Sequence, residues 1–360
     1  MKHKTICAGI DRGFGVTKYY SDMVIGQIDS LVAPISPSRA KDLIANNVDD
    51  KRVVILKEGD KFYLIGSRVA DVEPEYGSRN LDRHRNGLNE RILFMTALGL
   101  CSGSAENVDF YVTTGLPTDE FEKNKKAYED IIYNDGKNYV FSIIYEGKEY
   151  KKKISVKTVT VENQPKGTVI TVLNDKLEKG EPWAELKSRK FAVCDVGYNT
   201  TDASVYVGKD IIGGGDKVNF STSAMASIVA DARNAIESAY DCKKSETDIM
   251  AALSTNKIKV KGKEVDVSEQ ISYALNSNAD RIIEQTASKW DTYFDSFDEI
   301  ILTGGAVANK AFSSVLRKKF TERFDWEVTV CENPQLANAF GFYAIACTVK
   351  NAMEESEEDE

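Results

Sequence analysis

Two short segments, half a chain apart, constrain this sequence more than anything else in it. Gly9-Ile10-Asp11-Arg12-Gly13-Phe14-Gly15-Val16-Thr17-Lys18 reads as strand, glycine-rich turn, strand, and Val193-Cys194-Asp195-Val196-Gly197-Tyr198-Asn199-Thr200-Thr201-Asp202 reads the same way. Asp11 aligns with Asp195, Gly13 with Gly197 and Thr17 with Thr201, all at one offset of 184 residues. Each copy opens a run of three short antiparallel strands whose first turn carries Asp-x-Gly. One such turn is more often a plain hairpin; two in register point to a duplicated domain. A chain of 360 residues has the length for two domains.

The turns carry an anion-binding chemistry. Glycine tolerates positive φ, so backbone N–H groups around Gly13, Phe14 and Gly15, and around Gly197 and Tyr198, can converge on a phosphate without a Cβ in the way. Asn199, Thr200 and Thr201 add side-chain donors. An aspartate beside a phosphate repels it unless a cation lies between them. Asp11 and Asp195 therefore imply Mg²⁺, held mostly through water. Lys18 follows one strand-step later, as a point charge for a β- or γ-phosphate. Two such hairpins, one per domain and facing each other, would clamp a triphosphate in a cleft.

Composition removes other classes. Six of the last seven residues are acidic and carry −6 of the net −9, leaving a nearly balanced body with no basic excess to wrap nucleic acid directly. No apolar run approaches a membrane span, and the lysine-rich start reads into a strand rather than a leader. The six cysteines are scattered without a C-x-x-C pair, which fits buried, reduced thiols and a cytoplasmic location. With only His3 and His84, a histidine triad or zinc site is improbable. Walker A, Gly-x-Gly-x-x-Gly, His-Glu-x-x-His and EF-hand patterns are all missing.

The paired turns resemble the two phosphate loops of the actin, Hsp70 and sugar-kinase superfamily, whose ATPase domain duplicates a ribonuclease-H-like unit. Ile300-Ile301-Leu302-Thr303-Gly304-Gly305-Ala306 is similar to the family's adenosine motif, which would place Gly304, Gly305 and Ala306 against the nucleotide. The segment from Asn333 to Gly341 is similar to its closing "connect" helix. Thr113-Thr114-Gly115-Leu116-Pro117 resembles the turn of bacterial and archaeal actin-like proteins of the plasmid-segregation ParM type. The resemblance implies an α/β, actin-like ATPase fold: two duplicated ribonuclease-H-like domains flanking a nucleotide cleft, each with a smaller outer subdomain. It also implies a link helix beginning near Gln164, although Thr168-Val169-Ile170-Thr171-Val172 is β-branched and reads locally as strand. In that helix Gln164 matches the residue that positions the attacking water, and Glu162 is the alternative. With Asp11 and Asp195, Gln164 completes the expected catalytic set.

The resulting expectation is domain I over 1–188, with an outer subdomain at about 30–90 and a C-terminal helix at 335–350 packing back on it. Domain II covers 189–334, and an acidic, disordered tail covers 351–360. Helices are expected near 88–100, 118–132, 221–240, 245–253, 268–290 and 309–324, and hairpins near 53–65, 139–161 and 257–267. The loop at 79–85, with His84, reads as solvated. So do the lysines between 148 and 153, as a hairpin edge. The resemblance implies a nucleotidase that polymerises with bound ATP or GTP and Mg²⁺ and disassembles after hydrolysis. Its partners would be itself and a DNA-binding adaptor of a plasmid partition complex. A small-molecule kinase of the same superfamily is the alternative, lacking a positioned aspartate base in the sequence; an Hsp70-like chaperone would need a peptide-binding domain that is not seen here.

Overall fold

The computed structural model describes residues 4–47, 49–77, 87–212, 219–290 and 297–358. The loop expected at 79–85, with His84, lies outside the described residues. The chain divides into two compact units, one holding the residues up to Thr171 together with those from Asn338 onward, the other Val172–Ala337. The sequence boundary at 188 therefore differs from the structural one, which falls inside a helix.

In the first unit, β1 (Lys4–Arg12), β2 (Val16–Ser21) and β3 (Ile25–Asp29) form the antiparallel run expected from the first repeat. Then come β4 (Val32–Ile35), α1 (Pro37–Asn46), β5 (Val54–Glu58), β6 (Lys61–Ile65), α2 (Arg68–Val72), α3 (Gly87–Cys101), β7 (Asn107–Leu116), α4 (Thr118–Tyr133), β8 (Tyr139–Tyr145) and β9 (Lys148–Asn163). The nine strands make one sheet in the order β3-β2-β1-β7-β9-β8-β5-β6-β4, with β1, β7 and β9 parallel at its centre. Alternation along β1 sends Ile6, Ala8 and Ile10 into the core with Ile92, Phe94 and Leu98 of α3. Cys7, Gly9 and Asp11 therefore lie on the opposite face. A second apolar cluster, including Leu31, Ala40, Leu43, Ile55 and Leu64, sits under α1 and the β4–β6 strands.

After the short α6 (Trp183–Leu186), the second unit repeats the pattern. β10 (Lys190–Val196), β11 (Thr200–Val207) and β12 (Asp210–Ile211) are antiparallel, and β16 (Glu299–Thr303) and β17 (Val328–Val330) add parallel strands beyond β10. The order β12-β11-β10-β16-β17 thus mirrors β3-β2-β1-β7-β9. Ala192, Cys194 and Val196 face a core built with α7 (Met225–Tyr240), α8 (Glu246–Thr255), α9 (Ser268–Trp290) and α10 (Lys310–Phe324). Asp195 takes the other face. β14 (Lys257–Val260) and β15 (Lys263–Asp266) form a separate hairpin.

Four sequence expectations change here. The helix expected from 221 begins at Met225, because Phe220–Ser223 is instead a strand, β13, paired with β11 from Ala203↔Phe220 to Thr200↔Ser223. An open edge of β11 recruits a serine-rich segment of low helix propensity. The lysines at 148–153 are not all solvated: alternation turns Lys152 inward, 2% exposed, where its ammonium donates to the carbonyls of Gly103 (2.6 Å) and Ala105 (2.8 Å). Burial lowers its pKa to about 8. Residues 351–358 of the acidic tail are helical, not disordered: helix α11 runs from Ala337 to Glu358. Extending an existing helix adds a hydrogen bond per residue with no new nucleation cost, and Lys350–Glu354 (3.5 Å) offsets part of the repulsion. Thr158 also donates to Met353 Sδ at 3.2 Å.

The fourth change concerns the glycines. Gly13 and Gly197 do not have positive φ. They are required by close approach: a Cβ on Gly13 would meet the Val16 carbonyl oxygen at 2.8 Å, and one on Gly197 the Thr200 oxygen at 3.0 Å.

Candidate nucleotide site

The β1–β2 turn is braced from outside. Ser30 donates through Oγ to the Gly13 carbonyl (2.7 Å) and through its backbone N–H to the Gly15 carbonyl (3.0 Å). Phe14 lies 5.8 Å from the Arg12 guanidinium, ring centre to carbon. At the end of β1, the buried Asp11 gathers two of the expected residues. Lys18 donates to its Oδ2 at 2.9 Å and Gln164 donates its amide to Oδ1 at 3.0 Å. An ionised carboxylate only accepts, so Asp11 must be met by the Gln164 Nε2, leaving the carbonyl oxygen Oε1 to accept from elsewhere. Lys18 thus forms an ion pair with Asp11. Glu162 is engaged differently, by Lys166 at 2.9 Å one helical turn away.

Gln164 begins α5 (Gln164–Glu178), the helix that the resemblance implied against local propensity. Tertiary contacts explain the override. Thr168 bonds Asn338 Oδ1 through its N–H (3.1 Å) and hydroxyl (2.7 Å). Gly341 of α11 passes so near that its Cβ would lie 1.8 Å from the Gly167 carbonyl oxygen. Gly115, near the end of β7, likewise leaves room for Phe342, whose ring a Cβ would meet at 2.4 Å.

A buried cluster next to Asp11 escaped sequence reading. Arg12 forms an ion pair with Glu90 of α3, and Tyr128 of α4 donates to the same carboxylate at 3.5 Å. Burial pushes the Glu90 pKa up to about 7, against the pull of Arg12 and Tyr128. Only its place on the buried face of α3 could have marked Glu90, as a charge where packing wants none.

In the second unit, Asp195 pairs in register with Asp202, both buried, and Thr200 donates to Asp202 Oδ2 at 3.0 Å. The turn between them is closed by Gly197 N–H to the Thr200 carbonyl (2.8 Å). Ala226 N–H of α7 donates to the Tyr198 carbonyl at 2.7 Å, and the Tyr198 hydroxyl donates to Glu246 at the start of α8. Asn199 has a buried Nδ2 with no hydrogen-bond partner, a donor still lacking its acceptor. The β16–α10 turn joins the same site. Gly304 has φ +95°, and a Cβ there would lie 2.3 Å from Asp195 Oδ1. Ala306 N–H donates to the Val196 carbonyl at 3.0 Å, and Gly304 N–H to the Pro334 carbonyl at 2.9 Å. A Cβ on Gly305 would meet nothing within 4 Å, so that side of the turn is open.

The expected residues therefore gather as two groups. Lys18 and Gln164 both bond Asp11 beside the Gly13-Phe14-Gly15 turn, and Asp195, Gly304 and Ala306 meet beside the turn that carries Gly197, Tyr198, Asn199, Thr200 and Thr201. The orphaned Asn199 donor and the open face at Gly305 fit a nucleotide. Among the described residues no group of three or more His, Cys, Asp or Glu could hold a metal. No helix among the described residues is long and apolar enough to cross a membrane.

Residues 9–167 match the family described as actin-like proteins, N-terminal domain, and residues 193–310 match the archaeal actin homologue MreB-like C-terminal family. No curated protein matches the chain. Among solved structures it is similar to a 15-stranded ParM filament from Clostridium botulinum, with 21% identity, a TM-score of 0.77 and coverage of 96% of this chain and 99% of that one. It is similar to a non-polymerisable quadruple mutant of pCBH ParM, with 22% identity, a TM-score of 0.75 and coverage of 96% and 100%. It is also similar to the ADP complex of the archaeal actin homologue Ta0583, with 18% identity, a TM-score of 0.69 and coverage of 95% and 99%. Two duplicated strand turns, each with its aspartate, and two family matches that follow one another along the chain lead to one assignment: the chain belongs to the actin-like proteins, with the fold of the ParM and archaeal actin homologues.

Proposed function

We propose that this chain is a cytoplasmic, polymerising nucleotidase that binds ATP or GTP with Mg²⁺, assembles in that state and disassembles after hydrolysis. Its filaments would separate plasmid DNA through a DNA-binding adaptor. The observation that carries this reading is Asp11 holding Gln164 by its amide at 3.0 Å beside a phosphate-type turn. Self-association is supported by likeness to a ParM filament and to a ParM mutant described as non-polymerisable. Six free cysteines agree with the cytoplasm.

In this reading Gly13, Phe14, Gly15, Gly197, Tyr198, Asn199, Thr200 and Thr201 bind phosphate, while Gly304, Gly305 and Ala306 lie against the base and sugar. Asp11 and Asp195 would hold Mg²⁺ through water, because both Asp11 oxygens already accept from Lys18 and Gln164. A Mg²⁺ ion held there would supply positive charge to offset that of the phosphates. Gln164 accepts a hydrogen bond from the attacking water through Oε1. Its amide is not basic near neutral pH, so it works by position and the water proton leaves to a phosphate oxygen.

Light scattering and negative-stain microscopy with ATP or GTP, alongside phosphate release, test the proposal. Nucleotide-dependent filaments that shrink as phosphate appears are expected, and Asp195→Ala should abolish assembly. Phosphoryl transfer to a sugar or acid with no polymer would overturn it in favour of a kinase.

A further inference from the structure

The face of β1 that turns away from the core meets α11 at very short range. A Cβ on Gly9 would lie 2.1 Å from the Ala339 carbonyl oxygen and 2.2 Å from the Tyr343 nitrogen. Cys7 is two residues back on the same strand face, and Cys347 is one helical turn beyond Tyr343. Strand and helix therefore bring the two cysteines to neighbouring places across this contact. The surroundings hold them in place. Tyr343 donates to Asp22 Oδ1 at 2.8 Å, and Asp22 Oδ2 accepts the Cys7 backbone N–H at 2.8 Å. Tyr20, the β2 partner of Gly9, packs on Phe340 and Tyr343 with ring centres 5.1 and 4.9 Å apart.

We propose that Cys7 and Cys347 form a peroxide-sensitive dithiol that closes to an intrachain disulfide, stapling α11 to the strand that carries Asp11. The half-buried Cys347 is the attacking thiol, and Cys7, 3% exposed, resolves it. The Cys347 thiolate attacks a peroxide oxygen, breaking the O–O bond and giving a sulfenic acid and hydroxide. The Cys7 sulfur then attacks the sulfenic sulfur, forming the S–S bond. The sulfenic oxygen leaves as water with the Cys7 proton, so two thiols are oxidised and one peroxide is reduced.

The electrostatics agree with these roles. The neighbouring Cys7 thiol lowers the Cys347 pKa to about 7, with Lys350 assisting and burial and Asp22 opposing. Cys347 and burial push Cys7 up. Burial pushes Cys101 and Cys331 up to about 12, so neither competes.

The test treats the reduced full chain with stoichiometric hydrogen peroxide, blocks remaining thiols and maps peptides without reductant. One cross-linked pair, Cys7 to Cys347, reversed by dithiothreitol, is expected. Cys347→Ser should leave Cys7 unmodified at the same dose. Cys7→Ala should leave a sulfenic acid at Cys347 that dimedone traps, and should slow alkylation of Cys347 at pH 7 about tenfold as its pKa returns toward the ordinary thiol range. Because the wild-type map needs no variant to fold, it decides alone. No Cys7–Cys347 link, or oxidation of Cys242 ahead of Cys347, overturns the proposal.

Discussion

Gln164 donates its side-chain amide to Oδ1 of Asp11 at 3.0 Å across 153 residues of sequence. The bond joins the first residue of α5 to the end of β1, and it turns the amide nitrogen, not the single side-chain oxygen Oε1, toward the carboxylate.

Gln164→Ala should therefore separate binding from hydrolysis. Nucleotide affinity and assembly are expected to stay near wild type, while phosphate release slows about 10–100-fold, or ~1.4–2.7 kcal/mol in the barrier. Filaments of the variant should outlast wild-type filaments. Glu162→Gln, which touches only the Lys166 pair, should leave phosphate release unchanged. If Glu162→Gln arrests release and Gln164→Ala does not, the positioning role belongs to Glu162.

The neighbouring glycines Gly304 and Gly305 should respond oppositely in stability. Gly304→Ala meets both a φ of +95° and Asp195 Oδ1, so it should cost about 2 kcal/mol, read by urea denaturation. Gly305→Ala finds open space and should leave stability unchanged, yet weaken nucleotide binding measured by fluorescence titration. Unchanged affinity in Gly305→Ala would count against the adenosine surface.

Glu90 should give the fold a pH dependence. Its carboxyl titrates at about 7 in the folded chain against an ordinary 4.5, chiefly because burial disfavours the charged form. A raised acid pKa means that the folded state holds the proton more tightly than the unfolded one. Its stabilising effect is complete below about 4.5 and is lost as pH rises through about 7. Urea denaturation at pH 5 and pH 8 should show a loss on the order of 2–3 kcal/mol that Glu90→Gln removes. Identical pH slopes in both proteins would refute this role.

Gly341→Ala should loosen α11 from α5. The added methyl would enter the Gly167 carbonyl, so overpacking of about 1–3 kcal/mol is expected as a lowered Tm. Retention of wild-type Tm would mean that the crossing can widen without cost.

The duplicated Asp-x-Gly turns are local, and local chemistry was enough to read them. Short β-branched runs, a turn signal and a common spacing made β1–β2 and β10–β11 legible, and with them Asp11 and Asp195. Most of the amphipathic helices and hairpins were equally plain, because burial on one face leaves a period in the sequence. Other features depend on partners far along the chain. The helix α5 forms from a β-branched run because Asn338 and Gly341 receive Thr168 and Gly167. The strand β13 forms from a stretch expected to be helix because β11 had an edge to fill. The last acidic turns stay helical because α11 was already nucleated. Likewise, the sequence marked Lys18 and Gln164 as candidates, but only the fold showed that both are bonded to Asp11. It alone placed Glu90 on Arg12 and Cys347 beside Cys7. Such pairings depend on which sheet faces and helix turns meet, and no spacing along one chain encodes that.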